Sequence, residues 1–358
     1  MTGQVPRETG QEDAKRPEVP RETGQEDAER PEVPRETGRD LRGLAVPAAV
    51  LVVALALPGV LNTYYVRILT GIFLFGILAS AWNLIGGYTG YPDFGGAAFL
   101  GIGAYTTGIV MVRAHLPFAA ALPAGCVVAA AAATGMGALL LRLRGHYFAI
   151  ATLGFMFVLR QLTANLEITG GGSGMNLPAA SDFKIFYYWM LAALVLSVSA
   201  GFALPRTRAG YAIAAIRENQ DAAQVLGIEP LPYKILAYAA NAFLFAAAGG
   251  IYAYWLTFIE PLSVFNIDFT VQAVVMALFG GPGTVFGPVA GAIILKTLDV
   301  ALTNVSLFLH NVFFGALVCV LVIFAPRGLA ELFRASSGEG GPAGLRASIR
   351  DALQENRV

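Results

Sequence analysis

The chain has 358 residues, of which 56% are hydrophobic and only 13% charged, with a formal net charge of zero. Soluble domains carry about 25% charged residues and cannot bury this much apolar surface, which excludes a water-soluble fold. An all-α, polytopic integral membrane bundle of about 8–10 transmembrane helices with Gly/Pro-broken segments is expected, at about 20 apolar residues per crossing.

The first 40 residues stand apart. VPRETGQEDAKRPE (5–18) recurs as VPRETGQEDAERPE (19–32) and begins again as VPRETGRD (33–40). A 14-residue repeat with almost no large apolar side chain cannot offset its ordering entropy, so residues 1–40 are expected to form a disordered cytoplasmic tail. The segment has neither the apolar core nor the cleavage site of a signal peptide. It holds seven Lys/Arg against eleven Asp/Glu, which leaves the remainder of the chain modestly basic.

From there the sequence predicts apolar spans at 44–61, 64–86, 94–112, 118–141, 147–166, 185–204, 234–258, 269–281, 284–303 and 307–325, within a membrane domain of residues 41–330. Residues 331–358 follow as a cytoplasmic C-terminal tail. Arg39 and Arg42, Arg142 and Arg144, Arg206, Arg208, Arg217 and Lys234, and Arg327 and Arg334 all fall on one side of an alternating path. Basic loops favour the cytoplasm, so a multi-pass protein of the cell (inner or plasma) membrane is expected, with the N-terminus cytoplasmic and Arg67, Arg113 and Lys184 outside. Cys126 and Cys319 lie in apolar runs and read as small hydrophobes. His115, His146 and His310 are scattered, so no metal site is expected. No basic stripe with interleaved aromatics suggests nucleic acid.

Three glycine-rich breaks interrupt the apolar pattern. GGYTGYPDFGGAAFLGIGAY (86–105) carries Pro92 and too many glycines for regular helix through 86–96, and it marks Tyr88, Gly90, Asp93, Phe94, Gly95 and Gly96 as candidate pathway residues. An acid near broken helix is a functional candidate; the equal alternative is a cytoplasmic turn with Asp93 solvated or capping the next helix. TGGGSG (169–174) presents Gly170, Gly171 and Gly172, either as backbone donors to an anion such as an amino-acid carboxylate or as a plain loop. No Lys follows it, which excludes a nucleotide-binding P-loop. FGGPGTVFGP (279–288), with Gly280 and Gly281, reads either as a broken-helix site or as a tight turn.

The most polar stretch of the body is PRTRAGYAIAAIRENQDAAQVLGIEPLPY (205–233). Tyr211, Ala212, Ala215 and Ile216 follow helical spacing. A second short helix is predicted over 221–226, started by Asn219 or Gln220, stopped by Gly227, and kept from continuing by Pro230 and Pro232. Two short helices at an angle form a knob able to move as a rigid body. The alternative is an amphipathic helix lying on the inner leaflet.

This segment resembles the cytoplasmic coupling segment of ABC importer permeases of the branched-chain amino-acid, LivM type. The resemblance rests on Arg208-Ala-Gly210, Ala215-Ile216-Arg217-Glu218-Asn219, and Ala222-Ala223 through Gly227-Ile228. AWNLIGGYTGYPDFGGAAFLGIGAY (81–105), LRLRGHYFAIATLGF (141–155), TGGGSG and ALFGGPGTVFGPVAGA (277–292) are similar to that family's stretches in its order, so residues 62–330 are covered. The resemblance implies a non-catalytic permease subunit that imports branched-chain or related amino acids. It implies a second permease, two cytoplasmic ATP-binding subunits that carry the ATP and Mg, and an extracytoplasmic solute-binding protein, with no cofactor in this chain. It also implies that the ATP-binding subunits grip Arg208, Gly210, Ile216, Arg217, Glu218, Asn219, Ala222, Ala223 and Gly227. This chain departs from the family in having Asp93 and Gly95-Gly96 where a Ser and a Gly-His pair are common, which puts the solute in doubt. An ion- or proton-coupled secondary transporter, with Asp93 titrating, is the alternative.

Overall fold

The structure, a computed structural model, describes residues 41–180, 182–305 and 315–316. The repeat tail (1–40), the tenth expected span (307–325) and the C-terminal tail lie outside the described residues, and with them Arg39, His310, Cys319, Arg327 and Arg334. The chain divides into two units, Met1–Ala49 and Val50–Val358. Of the first, the described part is the opening of helix α1 (Leu41–Val60).

The second unit is almost wholly helical. After α1 come α2 (Thr63–Trp82), running into one π-helical turn (Asn83–Gly87), α3 (Gly96–Arg113), α4 (Phe118–Leu140), α5 (His146–Asn165) and α6 (Lys184–Ala203). They are followed by α7 (Arg208–Glu218), α8 (Gln220–Val225), α9 (Pro230–Leu256), α10 (Pro261–Val264), α11 (Ile267–Gly280) and α12 (Gly287–Val305). A helix stands at each of the first nine expected spans. Seven segments among the described residues are long and apolar enough to cross a membrane. This is a polytopic, multi-pass membrane bundle.

Pro230 and Pro232 end the insert as expected, but α9 starts on them, ahead of the expected span at 234, because prolines fit a first turn, where no intrahelical N–H is needed. Lys234, expected beside the insert, therefore sits inside α9, only 2% exposed.

Helix α9 is the centre of the packing, with α3 and α4 against it. The α3–α9 contact is backbone to backbone: a Cβ at Gly103 would lie 2.3 Å from the Ala246 carbonyl oxygen, and one at Gly249 would lie 2.1 Å from that of Leu100. Lipid supplies no hydrophobic drive between helices, so such close approach is what makes dispersion sufficient. Helix α2 packs against α6, α11 and α12. Helix α5 is the least covered span and turns Tyr147, Ile150, Val158 and Leu162 outward.

The loops sort to two ends. At one end strand β1 (Met175–Asn176) pairs antiparallel with β2 (Phe258–Ile259), and the Arg67 guanidinium lies 4.7 Å from the Phe183 ring. At the other end the linker 88–95, the α4–α5 turn, the α7–α8 segment and the α11–α12 turn meet one another.

Candidate functional site

The linker 88–95 is built from the break in α2. After Trp82 the helix widens to a π turn, and the Tyr88 N–H donates to the Asn83 carbonyl at 2.9 Å. Pro92 then forbids helix, and α3 restarts at Gly96. Asn83 is buried and fastens this turn to the α11–α12 turn. Its Nδ2 donates to the Thr284 carbonyl at 2.8 Å, and its Oδ1 accepts from the Gly283 N–H at 2.7 Å. Gly87 is required here, since a Cβ would fall 2.7 Å from the Gly283 nitrogen and closer still to Asn83 Oδ1.

Asp93 is not solvated. It is fully buried, with Oδ1 accepting from the Gly95 N–H at 2.8 Å and Oδ2 from Asn241 Nδ2 of α9 at 3.2 Å. Its carbonyl accepts from the Trp82 indole at 2.8 Å, and the next N–H, of Phe94, donates to Thr152 Oγ1 of α5 at 3.1 Å. Asp93 and its neighbour Phe94 thus join the ends of α2 and α3 to α5 and α9. Burial pushes its carboxyl up to about 6, against the pull of those donors.

The expected two-helix knob is present. Thr207 Oγ1 caps α7 by accepting from the Gly210 N–H at 3.1 Å. Asn219, extended between the helices, caps α8 by accepting from the Asp221 and Ala222 N–H groups at 3.0 Å each. Gly227, at φ +84°, closes α8: its N–H donates to the Gln224 carbonyl and that of Ile228 to Ala223. The knob buries Ala212, Ile213, Ile216 and Ala223, and both of its helices pack on α9. Tyr211, one of the apolar residues at helical spacing, is 71% exposed, while Ile213 joins Ala212 and Ile216 on the buried face.

Of the nine residues assigned to coupling, Gly210, Ile216 and Ala223 are buried and hold the knob to the bundle. Arg208, Arg217, Glu218, Asn219, Ala222 and Gly227 are exposed. Arg217 nevertheless leans inward: a Cβ at Gly283 would lie 2.7 Å from its Nη1, and one at Gly90 3.5 Å from its Cγ. The outward face of the knob carries apolar side chains that composition hides, with Val225 87% and Leu226 80% exposed.

Knob and linker are bonded directly. Tyr91 of the linker donates its hydroxyl to Gln220 Oε1 at 2.8 Å, and Lys234 Nζ bonds both groups. Tyr88 donates to the Gly201 carbonyl of α6 at 3.0 Å, and Arg144 pairs with Asp221 at 3.0 Å on the surface. None of Tyr91, Gln220, Lys234, Thr152 or Asn241 was marked as a site residue from sequence. The available signal was Lys234 itself, a lysine opening an apolar run of α9.

The three glycine-rich breaks are not one site. Tyr88, Gly90, Asp93, Phe94, Gly95 and Gly96 run through the linker into α3, and Gly280 and Gly281 open the α11–α12 turn, which Asn83 fastens to the start of that linker at the knob end. Gly280–Gly287 is a tight turn, with Thr284 Oγ1 donating to the Gly281 carbonyl at 2.7 Å and accepting from the Gly287 N–H at 3.2 Å. Gly170, Gly171 and Gly172 lie at the opposite end, beside β1. There the N–H groups of Gly170, Gly171 and Gly174 donate to Glu167, Leu166 and Gly171 carbonyls, so those three are not turned outward to an anion.

The family described as branched-chain amino acid transport system / permease component matches residues 64–325. A high-affinity branched-chain amino acid transport system permease protein LivM of Salmonella typhimurium is 31% identical over 322 residues, covering 80% of this chain and 74% of that protein. A probable branched-chain amino acid transport permease protein LivM of Methanocaldococcus jannaschii is 25% identical over 310 residues, covering 72% of this chain and 90% of that protein. An L-arabinose transport system permease protein AraH of Escherichia coli is 30% identical over 188 residues, covering 49% and 56%. No solved structure matches. The family's stretch takes in the linker, the knob and the α11–α12 turn together, and the chain belongs to the branched-chain amino acid transport system permease components.

Proposed function

We propose that this chain is the membrane-spanning permease subunit of an ATP-driven importer for branched-chain or related amino acids. It would work with a second permease, two cytoplasmic ATP-binding subunits that hold ATP and Mg, and an extracytoplasmic binding protein that delivers the solute. The basic loops Arg142, Arg144, Arg206, Arg208 and Arg217 gather at the knob end, which favours a cytoplasmic knob and N-terminus in the cell membrane.

The observation that carries this reading is the capped knob, bonded on its inner side to the linker and turned outward with an apolar face. A peripheral subunit needs a rigid handle, and caps at Thr207, Asn219 and Gly227 supply rigidity in only two short helices. The division of labour within the knob differs from a uniform grip. Tyr211, Glu218, Val225 and Leu226 face the partner, whereas Arg217 and Gln220 face the bundle and pass the motion on. With the linker joined to α3, α5 and α9 through Asp93, a displaced knob would move the helices around the pathway.

The test is co-purification and uptake. Val225→Asp with Leu226→Asp should leave the chain folded in the membrane, strip the ATP-binding subunits from it, and cut uptake at least about ten-fold, the loss expected from one central hot-spot contact. Normal uptake by this variant, or uptake that follows the proton gradient without the ATP-binding subunits, would restore the ion-coupled carrier in its place.

A further inference from the structure

A cleft of about 230 Å³ lies behind the knob, lined by Arg142, Arg144 and Lys234 together with Leu141 and the amides of Gln220 and Gln224. We propose that it binds the headgroup phosphate of an anionic phospholipid. The reading is independent of what the permease transports.

Charge is the first argument. Three cations meet there, and the carboxylate beside them, Asp221, is already taken by Arg144. Arg142 spends its Nε on the Ala138 carbonyl at 3.0 Å, in the last turn of α4, which fixes the guanidinium beside the cleft with its Nη groups unbonded among the described residues. Lys234 is 2% exposed, and the acceptors of its ammonium are the neutral Tyr91 hydroxyl and Gln220 amide. A buried ammonium met only by neutral dipoles is costly, and an anion in the adjoining cleft offsets that cost. The first turn of the 27-residue α9, whose cap residue Glu229 makes no side-chain cap bond, adds the positive end of a long helix.

Depth is the second argument. The cleft sits where the spans α4 and α9 end and begin, at Leu140 and Pro230. That is the level of phospholipid headgroups, and basic pockets between spans on the cytoplasmic side suit them. The cleft is smaller than the 300–1,000 Å³ typical of pockets enclosing drug-sized ligands, but it has room for a phosphate and its glycerol ester. Leu139 at the end of α4 is 62% exposed and Leu143, in the turn after it, 39%, the surface an acyl chain would cover. Free phosphate offers the same oxygens but gains nothing from those leucines, so the lipid is the occupant assigned.

The experiment uses the full-length protein in neutral detergent, titrated with phosphatidylglycerol, with phosphatidylcholine and with inorganic phosphate, bound lipid being counted by native mass spectrometry. The wild type should retain phosphatidylglycerol in preference to phosphatidylcholine. Arg142→Gln breaks no ion pair and should weaken that retention about five-fold, with Arg142→Gln/Arg144→Gln weaker again. Arg113→Gln, at the opposite end, should change nothing, and all variants should melt with the wild type. Equal retention by the wild type and the double variant overturns the proposal. So does binding of inorganic phosphate with no preference between the two lipids.

Discussion

Asp93 shows how much of a residue's structural role its type leaves unsaid. An acid in a broken, glycine-rich stretch of a membrane protein points to solute or proton handling. Here both carboxylate oxygens are bonded, one to the Gly95 N–H at the start of α3 and one to Asn241 of α9. Its charge is a cost to the fold: because burial raises the carboxyl to about 6 from the ordinary 3.8, the folded state holds its proton more tightly than the unfolded chain. The stabilisation linked to that proton is complete below the unfolded value and is lost as pH rises through about 6. Asp93→Asn keeps an acceptor for the Gly95 N–H and loses the charge. Asn241, whose Oδ1 has no hydrogen-bond partner among the described residues, can turn its amide to meet the new side chain. The variant should therefore fold, melt at least as high as wild type at pH 8, and lose the part of the melting-temperature rise between pH 8 and pH 5 that Asp93 contributes. Thermal melts at the two pH values check this, and a variant that melts lower at pH 8 contradicts it.

At the scale of elements, helices and their ends were legible because their signals are local. Apolar runs, Asn219 as a cap and Gly227 as a stop are read within a few residues of the chain. What was not legible is which face each helix buries and what its glycines touch, because both depend on partners distant in sequence. Ile213 rather than Tyr211 is buried on α7 for that reason, and Lys234 gains its meaning only when Tyr91, 143 residues away, arrives beside it. The same holds for α3 and α9. Nothing near Gly249 in sequence says that the Leu100 carbonyl lies where its Cβ would be. Gly249→Ala has no flexible side chain to push aside, so the helices must separate. Overpacking of this kind costs about 1–3 kcal/mol, and the variant should melt several degrees lower, while Gly71→Ala, on the open side of α2, leaves the melting temperature unchanged.

For the molecule as a whole, the two ends are built for different work. One end is closed by a small β pairing and a glycine loop folded on itself; the other brings three polar segments together around the knob. Within that second end, gripping the partner and passing on its motion fall to different residues, so a single substitution can separate them. Gly283 is the position to use. Its φ of +81° is a left-handed conformation that costs a residue with a Cβ about 1 kcal/mol, and its Cβ would strike the Arg217 guanidinium, the free end of a flexible side chain. Gly283→Ala should therefore displace Arg217 from the α11–α12 turn and leave the outward Val225–Leu226 face intact. The expected result is an importer complex that assembles with its ATP-binding subunits as the wild type does, hydrolyses ATP, and moves several-fold less solute per ATP consumed. Co-purification reports the grip, and uptake divided by hydrolysis reports the transmission. A variant that loses its partners places the grip on Arg217 itself, and one that keeps a normal solute-to-ATP ratio removes the turn from the path of the motion.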